Sequence, residues 1–136
     1  MNPWLRAFIG GFLATLIFHQ GVWFLLHLAG AVPPPFSLEP TQPLGVPKVI
    51  SLAFWGGVWG IPIWMLIRHS RGPKFWFKAA AFGAVGPSLV ALAIVYPIKG
   101  GAFMAGWNPQ ILVGALLLNG AWGIGLALYM KLTAAR

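Results

Sequence analysis

Few side chains in this sequence can do ionisable chemistry: three histidines, one acid and no cysteine among 136 residues. His19 stands out because it lies near the centre of a long apolar run. An imidazole carries one donor and one acceptor when neutral and titrates close to physiological pH, and an ionisable group at membrane depth is expected to face an interior rather than lipid. At helical spacing Thr15, His19, Gln20, Trp23 and His27 gather on one side of that run, opposite a small-residue face. Ser88 and Asn119 fall near the middles of two later runs. Thr15, His19, Gln20, Ser88 and Asn119 can form a midplane polar layer, and with His27 as an outer-end, proton-entry residue they are the candidates for contacting a substrate or a proton. The same residues would equally serve as a buried hydrogen-bond network that fixes helix packing.

Other chemistries find little support. The only acid, Glu39, sits in a proline-rich stretch, so there is no carboxylate pair, no HExxH and no metal-ligand cluster. Without cysteine there is no thiolate, disulfide or thiol-ligated cluster. His19 and His27 lie about 12 Å apart along one helix and cannot clamp a haem from opposite faces. Phosphate-loop and dinucleotide fingerprints are missing too. The expectation is a protein that is not an enzyme, with no catalytic residue, no metal and no cofactor.

The elements that carry these side chains follow from composition. Apolar residues make up 59% and charged residues 7%, far fewer charges than a soluble domain carries. Four apolar windows, 7–28, 50–67, 77–96 and 110–130, predict an all-α polytopic membrane protein. It would form one compact antiparallel bundle of four transmembrane helices over residues 1–136, with the first span retained rather than cleaved as a signal peptide. Nine basic residues against one acidic give a net charge of +8. Arg6, Arg68, Arg71, Lys74, Lys78, Lys131 and Arg136 all fall at one predicted end, which places both termini and the second connection in the cytoplasm. Arg68, Arg71, Lys74 and Lys78 would meet anionic lipid headgroups there, and no nucleic-acid partner is expected. Pro33, Pro34, Pro35, Pro40, Pro43 and Pro47 exclude a helix in the first connection. That connection is expected to be an extended strap across the outer end. The short Arg68–Pro73 turn favours spans two and three as neighbours.

Small residues recur at helix-packing intervals: Gly10, Ala14 and Gly21 in the first span, Gly56 and Gly60 in the second, Gly83 in the third, Ala121 and Gly125 in the fourth. Whether these seams are internal or between subunits stays open. Trp59-Gly60-Ile61-Pro62 can be laid over Trp122-Gly123-Ile124-Gly125, and Ala7–Leu16 over Ala80–Leu89, as a weak internal duplication. Trp4, Trp76, Tyr96 and Trp107 fall near predicted interfaces.

The stretch Phe12-Leu13-Ala14-Thr15-Leu16-Ile17-Phe18-His19-Gln20-Gly21, with Pro43-Leu44-Gly45-Val46-Pro47 and Phe54-Trp55-Gly56-Gly57-Val58-Trp59-Gly60, resembles a family of small, uncharacterised bacterial inner-membrane proteins. The resemblance implies a four-span fold in the bacterial inner membrane and supplies no substrate. Two functions follow as expectations. One is a noncatalytic membrane module, a homo-oligomer or an accessory subunit of a membrane complex. The other is a small proton-coupled transporter or channel built around His19.

Overall fold

The computed structural model describes residues 1–134; Arg136, counted among the basic flank above, lies outside the described residues. Four long apolar helices run over Pro3–Leu28 (α1), Lys48–Ile67 (α2), Pro73–Ile98 (α3) and Pro109–Leu132 (α4). With 20 to 26 residues each, and about 1.5 Å of rise per residue, all four are long enough to cross a hydrocarbon layer of about 30 Å. The chain is a multi-pass membrane protein with a four-helix transmembrane bundle.

Local chemistry explains where these helices begin. Pro3, Pro73 and Pro109 occupy first-turn positions, where a missing N–H costs no hydrogen bond. The Asn2 side chain accepts from Trp4 N–H at 2.7 Å, and Asn108 accepts from Gln110 N–H at 3.0 Å, each satisfying an amide that the helix leaves unpaired. Between α3 and α4, Phe103–Trp107 makes a short 3₁₀-like turn in which Met104, Ala105 and Gly106 take left-handed φ values of 52°, 53° and 65°.

Two helices widen partway along into π turns, at Thr15–His19 in α1 and Ala91–Val95 in α3. Just before the first, the Gly11 carbonyl accepts from Thr15 Oγ1 at 3.0 Å and from Trp122 Nε1 at 2.9 Å. The same oxygen keeps its ladder bond from the Thr15 N–H, so the side-chain donors add to the regular ladder just before the helix widens. The second π turn begins one helical turn after Pro87, which removes a donor from α3.

The tightest turn makes α2 and α3 neighbours, yet the extensive contacts are α1 with α2, α3 with α4, and α1 with α4. Small residues decide this. A Cβ added to Gly60 would fall on the Ala7 carbonyl oxygen and 3.3 Å from Gly11 Cα; one added to Gly123 would fall on the Ala79 carbonyl oxygen and 3.2 Å from Gly83 Cα. Likewise a Cβ on Gly11 would meet the Gly56 carbonyl, and one on Gly83 the Asn119 carbonyl, 3.0 Å away in the latter case. Ala7, Gly11, Gly56 and Gly60 in one hairpin thus do what Ala79, Gly83, Asn119 and Gly123 do in the other. The two halves repeat one helix-helix seam, with Ala79 rather than Ala80 matching Ala7.

Gly10, Ala14 and Gly125 form a third seam between α1 and α4, against Tyr129, Leu126 and Phe18. Gly21 has no neighbour that an added Cβ would meet within 4 Å, and Ala121 lines an open surface groove. Gly11, Gly57 and Gly123, which the spacing argument passed over, are all buried in seams.

Large buried side chains concentrate where the termini and the α2–α3 turn meet: Ile63, Ile67, Phe75, Leu126 and Met130. Arg68 lies over the Trp4 ring at 5.1 Å and Lys131 Nζ over the Phe75 ring at 4.8 Å, closing this basic end with cation–π contacts. Elsewhere the outer surface is apolar, with Phe77 73% exposed and Leu25 63% exposed, as a lipid-facing surface requires.

Gly60→Ala and Gly123→Ala are each expected to destabilise the bundle by about 1–3 kcal/mol through overpacking against backbone. Gly21→Ala should stay within about 0.5 kcal/mol of wild type. Equilibrium unfolding in mixed micelles measures all three, and equal stabilities would contradict the repeated seam.

Candidate functional site

The proline-rich connection, expected across the end of the bundle, instead doubles back along α1. A small antiparallel pair, β1 (Pro40–Thr41) and β2 (Val46–Pro47), anchors its far end. Strap carbonyls at Ser37 and Glu39 accept from the first amides of α2, at Val49 and Lys48, at 2.9 and 2.8 Å. Nearer α1, the Phe36 N–H donates to Gln20 Oε1 at 2.7 Å. Gln20 lies about 12 Å along the helix before its end at Leu28, so the strap descends beside the span.

Irregular backbone at such a depth must find partners within the protein. Pro33, Pro34 and Pro35 reduce the demand, because none has an N–H to satisfy. Of the carbonyls that remain, Pro33 O accepts from Trp23 Nε1 at 2.7 Å, and Val32 O accepts from His27 Nδ1 at 2.9 Å. Phe36, the next residue with an amide hydrogen, takes a left-handed φ of 56° and uses Gln20. The polar face of α1 therefore reads the strap backbone through three side chains about one turn apart.

Donor and acceptor identities order this face further. An amide N–H can only donate, so the Gln20 atom facing Phe36 is the carbonyl oxygen, and its NH₂ faces His19 Nδ1 at 3.0 Å. His19 Nδ1 must then accept, which puts the ring hydrogen on Nε2. His27 is the opposite case: a carbonyl faces its Nδ1, so that nitrogen carries the hydrogen. The His19 ring also stacks on Trp23, with centroids 6.5 Å apart and an interplanar angle of 17°. Gln20 is buried, and His19 and His27 are half-buried.

The other candidates form separate groups. Thr15 is buried against Gly11 and Gly56 at the junction of α1, α2 and α4, where its hydroxyl shares the Gly11 carbonyl with Trp122. Asn119 Nδ2 donates to Ser88 Oγ at 2.8 Å, and Ser88 Oγ donates to the Ala115 carbonyl at 3.1 Å, tying α3 to α4. Gln20 N–H reaches the Thr15 carbonyl within the π turn, but no side-chain hydrogen bond among the described residues joins Thr15, the Ser88–Asn119 pair and the His19–Gln20 pair into one network. Trp122 is 2% exposed, and its bond to Gly11 O, 111 positions away, makes it a pin between halves. Only the match of Trp59 to Trp122 in the repeat hinted at that role.

At the basic end Arg68, Arg71 and Lys74 are exposed and Lys78 is half-buried, while Glu39 belongs to the strap at the opposite end. Arg6 has its Nε buried without a hydrogen-bond partner. No group of three His, Cys, Asp or Glu residues arranged to hold a metal is present among the described residues. Comparison with known proteins finds no matching family model, curated protein or solved structure.

The Ser88–Asn119 bond should behave as a structural contact between transmembrane helices. A double-mutant cycle of Ser88→Ala and Asn119→Ala, read by unfolding in bicelles, is expected to give a coupling of about 0.6–1.7 kcal/mol; zero coupling would remove this bond as a link between α3 and α4.

Proposed function

We propose that the protein is a noncatalytic membrane module that works by association, as an oligomer or an accessory subunit of a membrane complex. The carrying observation is a division of labour between inside and outside. Seven polar or indole side chains of the spans are engaged within the chain: Thr15, Gln20, Trp23, His27, Ser88, Asn119 and Trp122. What faces outward along α4 is apolar and grooved. Two shallow depressions of about 410 and 520 Å³ meet at Leu117, the upper bounded by Leu26, Val32 and Gly114, the lower by Ala80, Ala84, Gly120 and Ala121. Small residues let a partner helix approach closely, and packing rather than hydrophobicity drives association in lipid. Gly56 and Gly60 are spent inside the α1–α2 seam, so the partner surface in this reading is the α4 groove.

The resemblance read from sequence supports a bacterial inner membrane as its location. The basic end, with both termini, is assigned to the cytoplasm by the distribution of positive charge, and Arg68, Arg71, Lys74 and Lys78 there are assigned to anionic headgroups. A second reading, a small proton-coupled transporter, draws support from the π turn that ends at His19, since such turns are frequent at functional sites.

Native mass spectrometry of the protein released gently from its own membrane tests association. A stable assembly that dissociates in the Ala84→Leu, Gly120→Leu double variant is the expected result. A wild-type protein that emerges alone would overturn the association reading, and an assembly indifferent to both substitutions would move the interface away from this groove. For transport, His19→Gln is expected to abolish proton-driven flux in proteoliposomes with the fold retained; unchanged flux would end that reading.

A further inference from the structure

We propose that His19 is a proton sensor that holds or releases the proline-rich strap, acting through Gln20. The inference concerns the strap alone and stands apart from both functional readings above. Its basis is the fixed polarity of three groups in a row. Phe36 N–H can only donate, Gln20 presents oxygen to it, and the remaining Gln20 NH₂ needs an acceptor, which only the unprotonated Nδ1 of His19 supplies.

Protonation removes that acceptor. An imidazolium has a hydrogen on both nitrogens, so Nδ1–H would point at the Gln20 NH₂. If the Gln20 amide reverses to offer its oxygen to His19, its NH₂ then opposes the Phe36 N–H. Either arrangement leaves two donors face to face, and a buried donor without a partner is unfavourable. With one Gln20 atom facing His19 and the other facing Phe36, as the structure holds them, Gln20 cannot serve charged His19 and the strap together. Phe36 is also the strap residue held in the left-handed region, at φ 56°, a conformation that a bulky side chain disfavours. Losing the Gln20 bond frees this residue to relax toward an ordinary backbone.

Neighbouring titratable groups do not duplicate the device. His27 touches the strap too, but its Nδ1 donates to the Val32 carbonyl, and it remains a donor whether the ring is neutral or charged. Glu39 lies on the strap and uses its backbone atoms in the bonds recorded there. Of the helices packed against this part of α1, α2 carries Lys48 as its first residue, and α4 carries Tyr129 and Lys131 in its last turns. Arg6 lies near the opposite end of α1. The sign follows directly: the strap is held at higher pH, where His19 is neutral, and released as the pH falls through the His19 titration.

The test is hydrogen–deuterium exchange of the full chain in lipid nanodiscs at pH 8 and pH 3. Rates for the Phe36 amide are corrected for intrinsic exchange chemistry, and the His19 ring is followed by nitrogen NMR. Wild-type protection of Phe36 is expected to fall about tenfold as the ring gains its proton, the scale of one lost hydrogen bond. His19→Asn places an amide oxygen where Nδ1 sits and cannot titrate, so protection should stay high at both pH values. Gln20→Leu should give low protection at both. His27→Asn, which keeps a donor for Val32, and Glu39→Gln should each preserve the wild-type fall. Constant wild-type protection, a ring that stays neutral throughout, an equal fall in His19→Asn, or loss of the fall in His27→Asn or Glu39→Gln would each overturn the proposal.

Discussion

A hydrocarbon layer offers no water to backbone amides and carbonyls, so every such group at depth must find its partner within the protein. Helices satisfy most of them automatically. The informative places are those where the helix ladder is altered, supplemented by side-chain donors or absent: the two π turns, the Gly11 carbonyl, and the strap beside α1. At Gly11 a threonine hydroxyl and an indole N–H converge on one oxygen. Beside α1 the chain runs through three consecutive prolines, which lowers the number of amides needing partners, and spends Gln20, Trp23 and His27 on groups that still need them. Residues that look functional by type thereby hold backbone groups of the same chain.

Close approach of backbones is the second determinant. Gly11 with Gly60, and Gly83 with Gly123, bring helices near enough that a Cβ could not be added without moving main chain. In lipid, where burying one more leucine gains little, such contact is the main source of attraction between helices. The seam occurs twice with equivalent residues, and α1 and α4 join the two hairpins through Gly10, Ala14 and Gly125. Trp122 completes the junction by reaching from α4 to the α1 carbonyl. The largest fully buried aliphatic side chains gather toward the basic end, where Ile63, Ile67, Leu126 and Met130 are enclosed.

Polarity gives the His19 region a property that the rest of the bundle lacks. Thr15, Ser88 and Asn119 do not titrate, and their bonds are indifferent to pH. His27 donates in either charge state. Among the described residues His19 alone accepts a hydrogen bond with a nitrogen that a proton would occupy, and it does so next to the residue that holds the strap. The half-buried imidazole is distinguished by its tautomer rather than by any unusual neighbour.

By itself the sequence determined the four spans, the concentration of positive charge at one end and the non-helical first connection. Those features depend on summed hydropathy, on charge and on the missing amide of proline, all of which are local. It also indicated a duplication through Trp59-Gly60 and Trp122-Gly123, although one residue out of register in the odd-numbered helices. Only the tertiary structure decided which small residues meet, because Gly10, Gly11 and Gly21 are chemically alike and helical spacing cannot say which face a neighbour will cover. It alone separated Thr15 from the Ser88–Asn119 pair. It also turned the strap down along α1, since a hydrogen bond between Gln20 and Phe36 joins segments whose pairing depends on a turn in space and leaves no periodic mark in the chain.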